Sequence, residues 1–214
     1  MTERPGHPFE RCSDEELLQR MLAETPDAED AFDALYERRE GVVYRFALRM
    51  TGSATLADDV TQDVFLALIR GGRLFDPTRG ALIQYLLGMT RNRVLTLLAR
   101  ERAFVPLFDE ESEQEPGLAR QMAVHPDPLA DLTRAERVES MRRAVLSLPV
   151  HYREVVLLCS LEEMSYEEAA EIIGCPVGTV RSRMNRARAM LAERLADRPQ
   201  FTHGDGSGRV AYVY

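Results

Sequence analysis

The 214-residue sequence contains no lysine, so all 27 of its permanently cationic side chains are arginines. A GC-rich coding bias accounts for that as readily as a preference for phosphate, and no function follows from it. Cysteine is scarce. Cys12, Cys159 and Cys175 are widely spaced and odd in number, which argues against a disulfide framework and fits reduced thiols. Cys159 reads as packed in a helix; at Cys175, in a tight turn, small-residue packing and oxidation both stay open. His7, His125, His151 and His203 are scattered, with no His/Cys pair at ligand spacing, so no metal site is expected. Neither GxGxxG nor a GxxxxGK phosphate loop occurs. No cofactor and no catalytic residue is therefore expected, and an enzyme reading has no support. No run approaches the roughly 20 apolar residues of a membrane span, and the start MTERPGHPFERC lacks the form of a signal peptide. The expectation is a cytoplasmic protein with no direct membrane insertion.

What the chain does have is concentrated in Ser165 to Leu195, SYEEAAEIIGCPVGTVRSRMNRARAMLAERL. Ser165 and Glu168 have the S-x-x-E spacing that caps a helix start. Gly174 can end that helix with positive φ, and Pro176 can open the next without its missing N–H. In the second helix Val180, Met184, Ala187, Leu191 and Leu195 form one apolar stripe. Thr179, Ser182, Asn185 and Arg186 lie roughly opposite it, with Arg181 and Arg188 on its flank. An arginine-rich face alone is compatible with simple solvation. Its pairing with a capped helix across a tight turn points to a helix-turn-helix that reads a major groove.

Charge is unevenly spread. The net charge of −8 is unexpected for a phosphate-binding protein. Yet residues 104–133 carry seven acids against Arg120, a net of −6, whereas 176–198 carry six arginines against Glu193 and Asp197, a net of +4. Residues 81–103 carry four arginines against Glu101, a net of +3. Two basic helical elements are thus joined by an acidic connector that repels DNA. Such a chain binds free DNA weakly and depends on a partner to seat its basic ends. The connector holds Pro106, Pro116, Pro126 and Pro128 among its acids, a composition that predicts disorder in the free protein.

Elsewhere the spacing predicts helices throughout. Ser13 with Glu16 caps a first short helix. Phe32, Leu35, Tyr36, Val43, Phe46, Ala47 and Met50 make a core-facing stripe. Thr51-Gly52-Ser53 then separates two helices. Ala57, Val60, Val64 and Leu68 face inward and leave Asp58, Asp59, Gln62 and Asp63 outside. Residues 70–80, RGGRLFDPTRG, form an arginine-bearing loop before a helix that presents Tyr85, Arg91, Asn92 and Arg93. Met141 to Ser147 and Tyr152 to Ser160 read as helices broken at Leu148-Pro149.

These words resemble a known family. AFDALYERREGVVYRFALRMTG, LADDVTQDVFLALI and YLLGMTRNRVLTLLARERA are similar to region 2 of bacterial sigma factors. LSLPVHYREVVLL, MSYEEAAEIIG and PVGTVRSRMNRARAML are similar to region 4. The resemblance is to the small extracytoplasmic-function (ECF) group of the sigma-70 family and covers roughly three quarters of the chain.

It implies an all-α protein with two small helical domains joined by a flexible acidic linker. The expected division is an N-terminal segment at 1–29, region 2 at 30–103, the linker at 104–133, region 4 at 134–198 and a tail at 199–214. Implied partners are RNA polymerase core (β′ clamp helices and β flap), promoter DNA and an anti-sigma factor.

By the same resemblance Asp58, Asp59, Gln62, Asp63 and Phe65 would contact core polymerase. Arg73, Arg79, Tyr85, Arg91, Asn92 and Arg93 would serve the −10 element, with the loop helping to capture a flipped base. Gly178, Thr179, Arg181, Ser182, Asn185, Arg186 and Arg188 would serve the −35 element. Part of the surface around Val145, Leu146, Leu148, Val155, Val156 and Leu158 would cup the flap tip, although such residues are more often core. The chain departs from the family at Tyr85, where tryptophan is usual, and at Thr96, where aspartate is common.

Reach is sufficient. A linker of about 30 residues spans up to ~100 Å extended, whereas elements about 17 base pairs apart are separated by ~58 Å. Two other readings stand beside this one: a stand-alone helix-turn-helix regulator, and a sigma mimic that titrates an anti-sigma factor. The acidic helix face argues against the first, and the intact arginine-rich helix against the second. The tail reads equally as a flexible extension or a short pairing strand.

Overall fold

The computed structural model describes residue 9 and residues 11–23, 26–103 and 134–196. The connector expected at 104–133 and the tail expected at 199–214 lie outside the described residues. Among those described, all regular structure is helical, in two groups that pack against each other.

The first group holds α1 (Asp14–Leu22), α2 (Ala28–Thr51), α3 (Ala54–Gly71) and α4 (Leu82–Ala103). The Ser13 hydroxyl accepts the Glu16 N–H at 3.1 Å, and the Glu16 carboxylate accepts the Ser13 N–H at 2.8 Å. Both bonds of the expected capping box are therefore made. Asp14 is only 7% exposed and sits between the guanidiniums of Arg38, at 2.9 Å, and Arg39, both on α2. A carboxylate so buried requires paired cations, and this pairing fastens α1 across α2. At the far end of α2, Gly52 adopts φ 73° and closes the helix, and the Ser53 hydroxyl accepts the Leu56 N–H to start α3. Phe46, Met50, Leu68, Leu82, Leu86 and Leu87 fill the interior between these helices.

The second group holds α5 (Arg134–Leu146), α6 (Val150–Val156), α7 (Tyr166–Ile173) and α8 (Val177–Ala196). Two boundaries differ from expectation. α5 begins at Arg134 rather than Met141, although its first turns lack a continuous apolar stripe. Glu139 bonds Arg142 and Arg143 three and four residues on, which supports an exposed helix and draws its carboxyl pKa down to about 2. The helix expected to run from Tyr152 to Ser160 instead widens after Val156 into a π turn at Leu157–Leu161. The Glu162 N–H then bonds the Leu157 carbonyl, and Leu157 and Leu158 are both fully buried. The second capping box is also complete: Ser165 and Glu168 exchange bonds of 2.8 and 3.2 Å. Gly174 ends α7 at φ 76°, and the Pro176 carbonyl accepts the Thr179 N–H at 2.8 Å as α8 begins.

The two groups meet where α2 ends. A Cβ at Gly52 would lie 3.2 Å from both terminal carbons of Leu146, so this glycine permits close approach as well as its positive φ. Arg153 donates to the Met50 carbonyl of α2 and to the Leu146 and Leu148 carbonyls of its own group. One guanidinium thus satisfies carbonyls at two helix ends.

Ser165→Ala is expected to cost about 1 kcal/mol in urea unfolding near neutral pH. Bonds from Ser165 hold the Glu168 carboxyl below its ordinary 4.5. Its contribution is complete above that value and fades as pH falls through the lower folded value. The cost of the substitution should therefore shrink in acid; a cost that stays undiminished once the Glu168 carboxyl has been titrated would show that Glu168 does not share the cap.

Candidate nucleic-acid interface

α8 buries Val180, Met184 and Ala187 against α6 and α7 and leaves the opposite side open. Gly178, Arg181, Ser182, Asn185, Arg186 and Arg188 are exposed and Thr179 is half-buried. The Ser182 hydroxyl donates back to the Thr179 carbonyl at 3.0 Å, leaving its oxygen able to accept. Guanidinium, amide and hydroxyl groups therefore share one unobstructed helix surface, the donor and acceptor set that base edges and phosphates require. Arg183 is different. It turns inward to Glu154 of α6 at 3.2 Å.

On α3, Asp58, Asp59 and Gln62 are exposed, and Asp63 is half-buried. Phe65 does not belong with them. It is 2% exposed, and its ring packs edge-on against Tyr36 at 4.7 Å and Phe32 at 6.4 Å. Its assignment as a surface contact is corrected: the ring supports the helix from beneath, because the aromatic pocket on α2 takes it out of water. Leu66 and Ile69, 39% and 46% exposed, are the apolar side chains that α3 does present. The sequence signal for them was available, since Leu66 continues the spacing of Asp59 and Gln62 on one helical face. Tyr36, near Asp58, has its hydroxyl pKa raised by burial first and then by Glu40 and Asp58.

The segment between α3 and α4 is two short 3₁₀ turns, Gly72–Leu74 and Pro77–Arg79. Asp76 caps the second through the Thr78 N–H at 3.0 Å and hydroxyl at 2.7 Å, which lowers its pKa. Arg73 and Arg79 are exposed, and Leu74 protrudes at 81% exposure. Tyr85 is half-buried with its ring 5.6 Å from that of Phe75. Thr96 is exposed and its hydroxyl donates to the Asn92 carbonyl, so nothing packs over this departure from the family.

Of the α4 residues singled out, Asn92 is exposed, while Arg91 and Arg93 are engaged. Arg93 Nε donates to Asp63 at 2.7 Å, which joins the expected polymerase and −10 surfaces through one ion pair. Arg91 Nε donates to Glu154 at 2.7 Å across the boundary between the groups. Glu154 is 2% exposed and holds both Arg91 and Arg183. Gln84 Nε2 donates to Glu168 at 2.6 Å, and Arg49 bonds Glu162 at 3.3 Å. Burial raises the Glu162 carboxyl pKa, with Arg49 and Arg45 opposing. A cleft of about 380 Å³ lies along this boundary, lined by Leu95, Leu98, His151, Ile173 and Cys175 as well as the charged groups.

Cys159 and Cys175 are both free thiols, half-buried. Burial raises the Cys159 pKa, with Arg188 opposing, so this sulfur packs rather than reacts. No helix among the described residues is long and apolar enough to cross a membrane.

Comparison with known proteins points one way. The family model for sigma-70 region 2 matches residues 35–104, and that for sigma-70 region 4 matches residues 139–191. The chain is 31% identical over 167 residues to the ECF RNA polymerase sigma factor SigE of Mycolicibacterium smegmatis, covering 78% of this chain and 62% of that protein. It is likewise 31% identical over 189 residues to the ECF RNA polymerase sigma-E factor of Escherichia coli, covering 85% of this chain and 96% of that one. Among solved structures it resembles CnrH, solved with the cytosolic domain of CnrY, at TM-score 0.60 and 26% identity, covering 86% and 98% of the two chains. An α3 with an acidic outer face, an arginine-bearing α4 and a helix-turn-helix with an open α8 stand in the order those two regions require. The chain belongs to the ECF group of the sigma-70 family of RNA polymerase sigma factors.

Proposed function

We propose that this protein is a promoter-specificity subunit: it joins RNA polymerase core and directs where transcription starts. One observation carries the reading. A single chain pairs an exposed acidic and apolar α3 face with an open Arg/Ser/Asn face on α8, so protein docking and DNA reading are both provided. Residues 30–103 form the unit that meets core and the −10 element, and 134–198 the unit that meets the −35 element. Asp58, Asp59, Gln62 and Asp63, with Leu66 and Ile69 further along α3, dock on the β′ clamp helices. Arg73, Arg79, Tyr85, Asn92 and the two engaged arginines, Arg91 and Arg93, serve the −10 element.

The protein has no chemistry of its own; catalysis belongs to the polymerase, and the site of action is the cytoplasm. An anti-sigma factor covering these same surfaces is the natural regulator. The solved relative CnrH, captured with the cytosolic domain of CnrY, supports that expectation. Run-off transcription with purified core polymerase tests the reading directly; absence of any directed transcript from promoters of the same genome would defeat it.

Two substitution sets localise the surfaces. Reversing charge at Asp58 and Asp59 should weaken core binding about tenfold or more, equivalent to about 1.4 kcal/mol, with an unchanged melting temperature. Unaltered core affinity would remove α3 from the docking surface. On α8, Arg181→Ala or Arg186→Ala should cost about 1–3 kcal/mol where the guanidinium grips a guanine, and should relax preference at one −35 position. Arg188→Ala should weaken binding evenly across sequences and lower the salt slope by about one unit. Titrating holoenzyme on single-base −35 variants separates these outcomes, and uniform losses for all three would reduce α8 to a positioning element.

A further inference from the structure

α4 begins without a cap of its own. The first N–H groups of a helix have no partner inside it, and a side-chain oxygen on the preceding residue normally accepts one. Here that residue is Ala81, which has none. Its own N–H donates to Gln84 Oε1 at 3.1 Å, and the Leu82 N–H donates to Glu15 Oε1 of α1 at 3.2 Å, across 67 residues of sequence. A carboxylate is also favoured at the positive end of the helix dipole. α1 thus supplies what the sequence before α4 lacks.

The same helix holds the other end of the loop. Gly72, where the chain leaves α3, lies under α1: a Cβ there would come within 3.0 Å of Leu18 Cδ1 and 3.4 Å of Leu22 Cδ1. The Arg73 guanidinium donates to the Leu22 carbonyl at 3.5 Å. The loop therefore starts and finishes on one helix, with Arg73, Phe75 and Arg79 between these contacts and Tyr85 in the first turn beyond. The Phe75 ring, 5.6 Å from that of Tyr85, ties the loop to that turn. α1 is itself anchored by the buried Leu17 and Leu18 and by Asp14 between Arg38 and Arg39.

We infer that α1 is a positioning element for −10 recognition and that Glu15 is its positioning residue, acting through the Leu82 N–H on the loop and on Tyr85. The inference rests on the proposed promoter reading, which sets Arg73, Arg79 and Tyr85 at the −10 element. It extends that reading to a helix that precedes the matched region 2 residues, which begin at 35. Glu15 makes no DNA contact of its own, because a carboxylate repels phosphate. Nor is it needed to keep α4 folded. α4 spans 22 residues and buries Leu82, Leu86, Leu87 and Val94, so loss of one N-terminal bond frays the first turn rather than the helix. That turn carries Tyr85. A base held out of the stack needs its pocket preformed, since order gained only on binding is subtracted from affinity.

Three full-length variants test this in holoenzyme reconstituted with core polymerase. Glu15→Ala removes the acceptor. Glu15→Gln keeps an oxygen able to take the Leu82 N–H. Gly72→Ala presses a methyl against Leu18 at the other end of the loop and leaves the cap intact. Affinity is measured for a single-stranded −10 oligonucleotide, for its single-base variants and for a −35 duplex. Glu15→Ala should weaken −10 binding about fivefold, the size of one lost cap, and narrow the gap between bases. Gly72→Ala should narrow that gap too, whereas Glu15→Gln should stay within about twofold of wild type. Core affinity, −35 binding and melting temperature should hold in all three.

Unchanged −10 affinity and base preference in Glu15→Ala overturns the role of Glu15, and the same result in Gly72→Ala overturns that of α1. An equal loss of −35 binding or core affinity also overturns the proposal, by making α1 general support. A tighter −10 complex in Glu15→Gln would make Glu15 a repelling charge and defeat it as well. Amide exchange in the free protein separates this proposal from the promoter reading: residues 82–85 should exchange faster in Glu15→Ala than in wild type or Glu15→Gln. If wild-type holoenzyme prefers no −10 oligonucleotide, the promoter reading fails and the −10 role with it. Unchanged exchange would reject the hold of α1 on α4 itself.

Discussion

A carboxylate cannot be buried without cations around it, and Glu154 organises this molecule through that requirement. At 2% exposure it is served by Arg183 from α8 and Arg91 from α4, so a charge in one half is balanced partly by the other. The position of α4 relative to the helix-turn-helix follows from this pairing, and the cleft beside it is the space left over. Arg153, the residue just before it, works in the same direction by joining the carbonyl ends of α2 and α5. Gly52 allows that approach, since any side chain there would meet Leu146.

Within each half, support and presentation are divided between opposite helix faces. Phe65 looks inward to Tyr36 and Phe32, and the rings hold α3 so that its acids and Leu66 remain on the surface. Val180, Met184 and Ala187 do the same for α8. Surface chemistry can then vary along these faces without disturbing the packing beneath, which suits proteins that keep one polymerase and differ in promoter.

Features written in short stretches were legible from sequence. Both capping boxes, the left-handed glycine at 174, the helix break at Thr51-Gly52-Ser53, and the α8 stripe depend on residues within a few positions of each other. Family resemblance located the acidic and arginine-bearing faces for the same reason. What escaped was long-range. Nothing near Phe65 indicates that Phe32 and Tyr36 will receive it. Nothing near Arg91 or Arg183 indicates that Glu154 will take both. The π turn at Leu157–Leu161 was missed because an apolar run looks the same whether it continues as an ordinary helix or widens to bury two adjacent leucines. The start of α5 was missed because its support is ionic and its apolar periodicity weak.

Asp63 and Arg93 carry a further implication. Because Arg93 lies against Asp63, the field that α3 projects into solution is closer to that of two carboxylates, Asp58 and Asp59, than of three. Long-range attraction of a basic partner is correspondingly weaker than a formal count suggests, and the third charge acts only at contact. Any cation brought to Asp63 from outside competes with Arg93 for the same oxygens. When it succeeds, the Arg93 guanidinium loses its partner, and the positive charge that α4 presents is strengthened by an event on its neighbour.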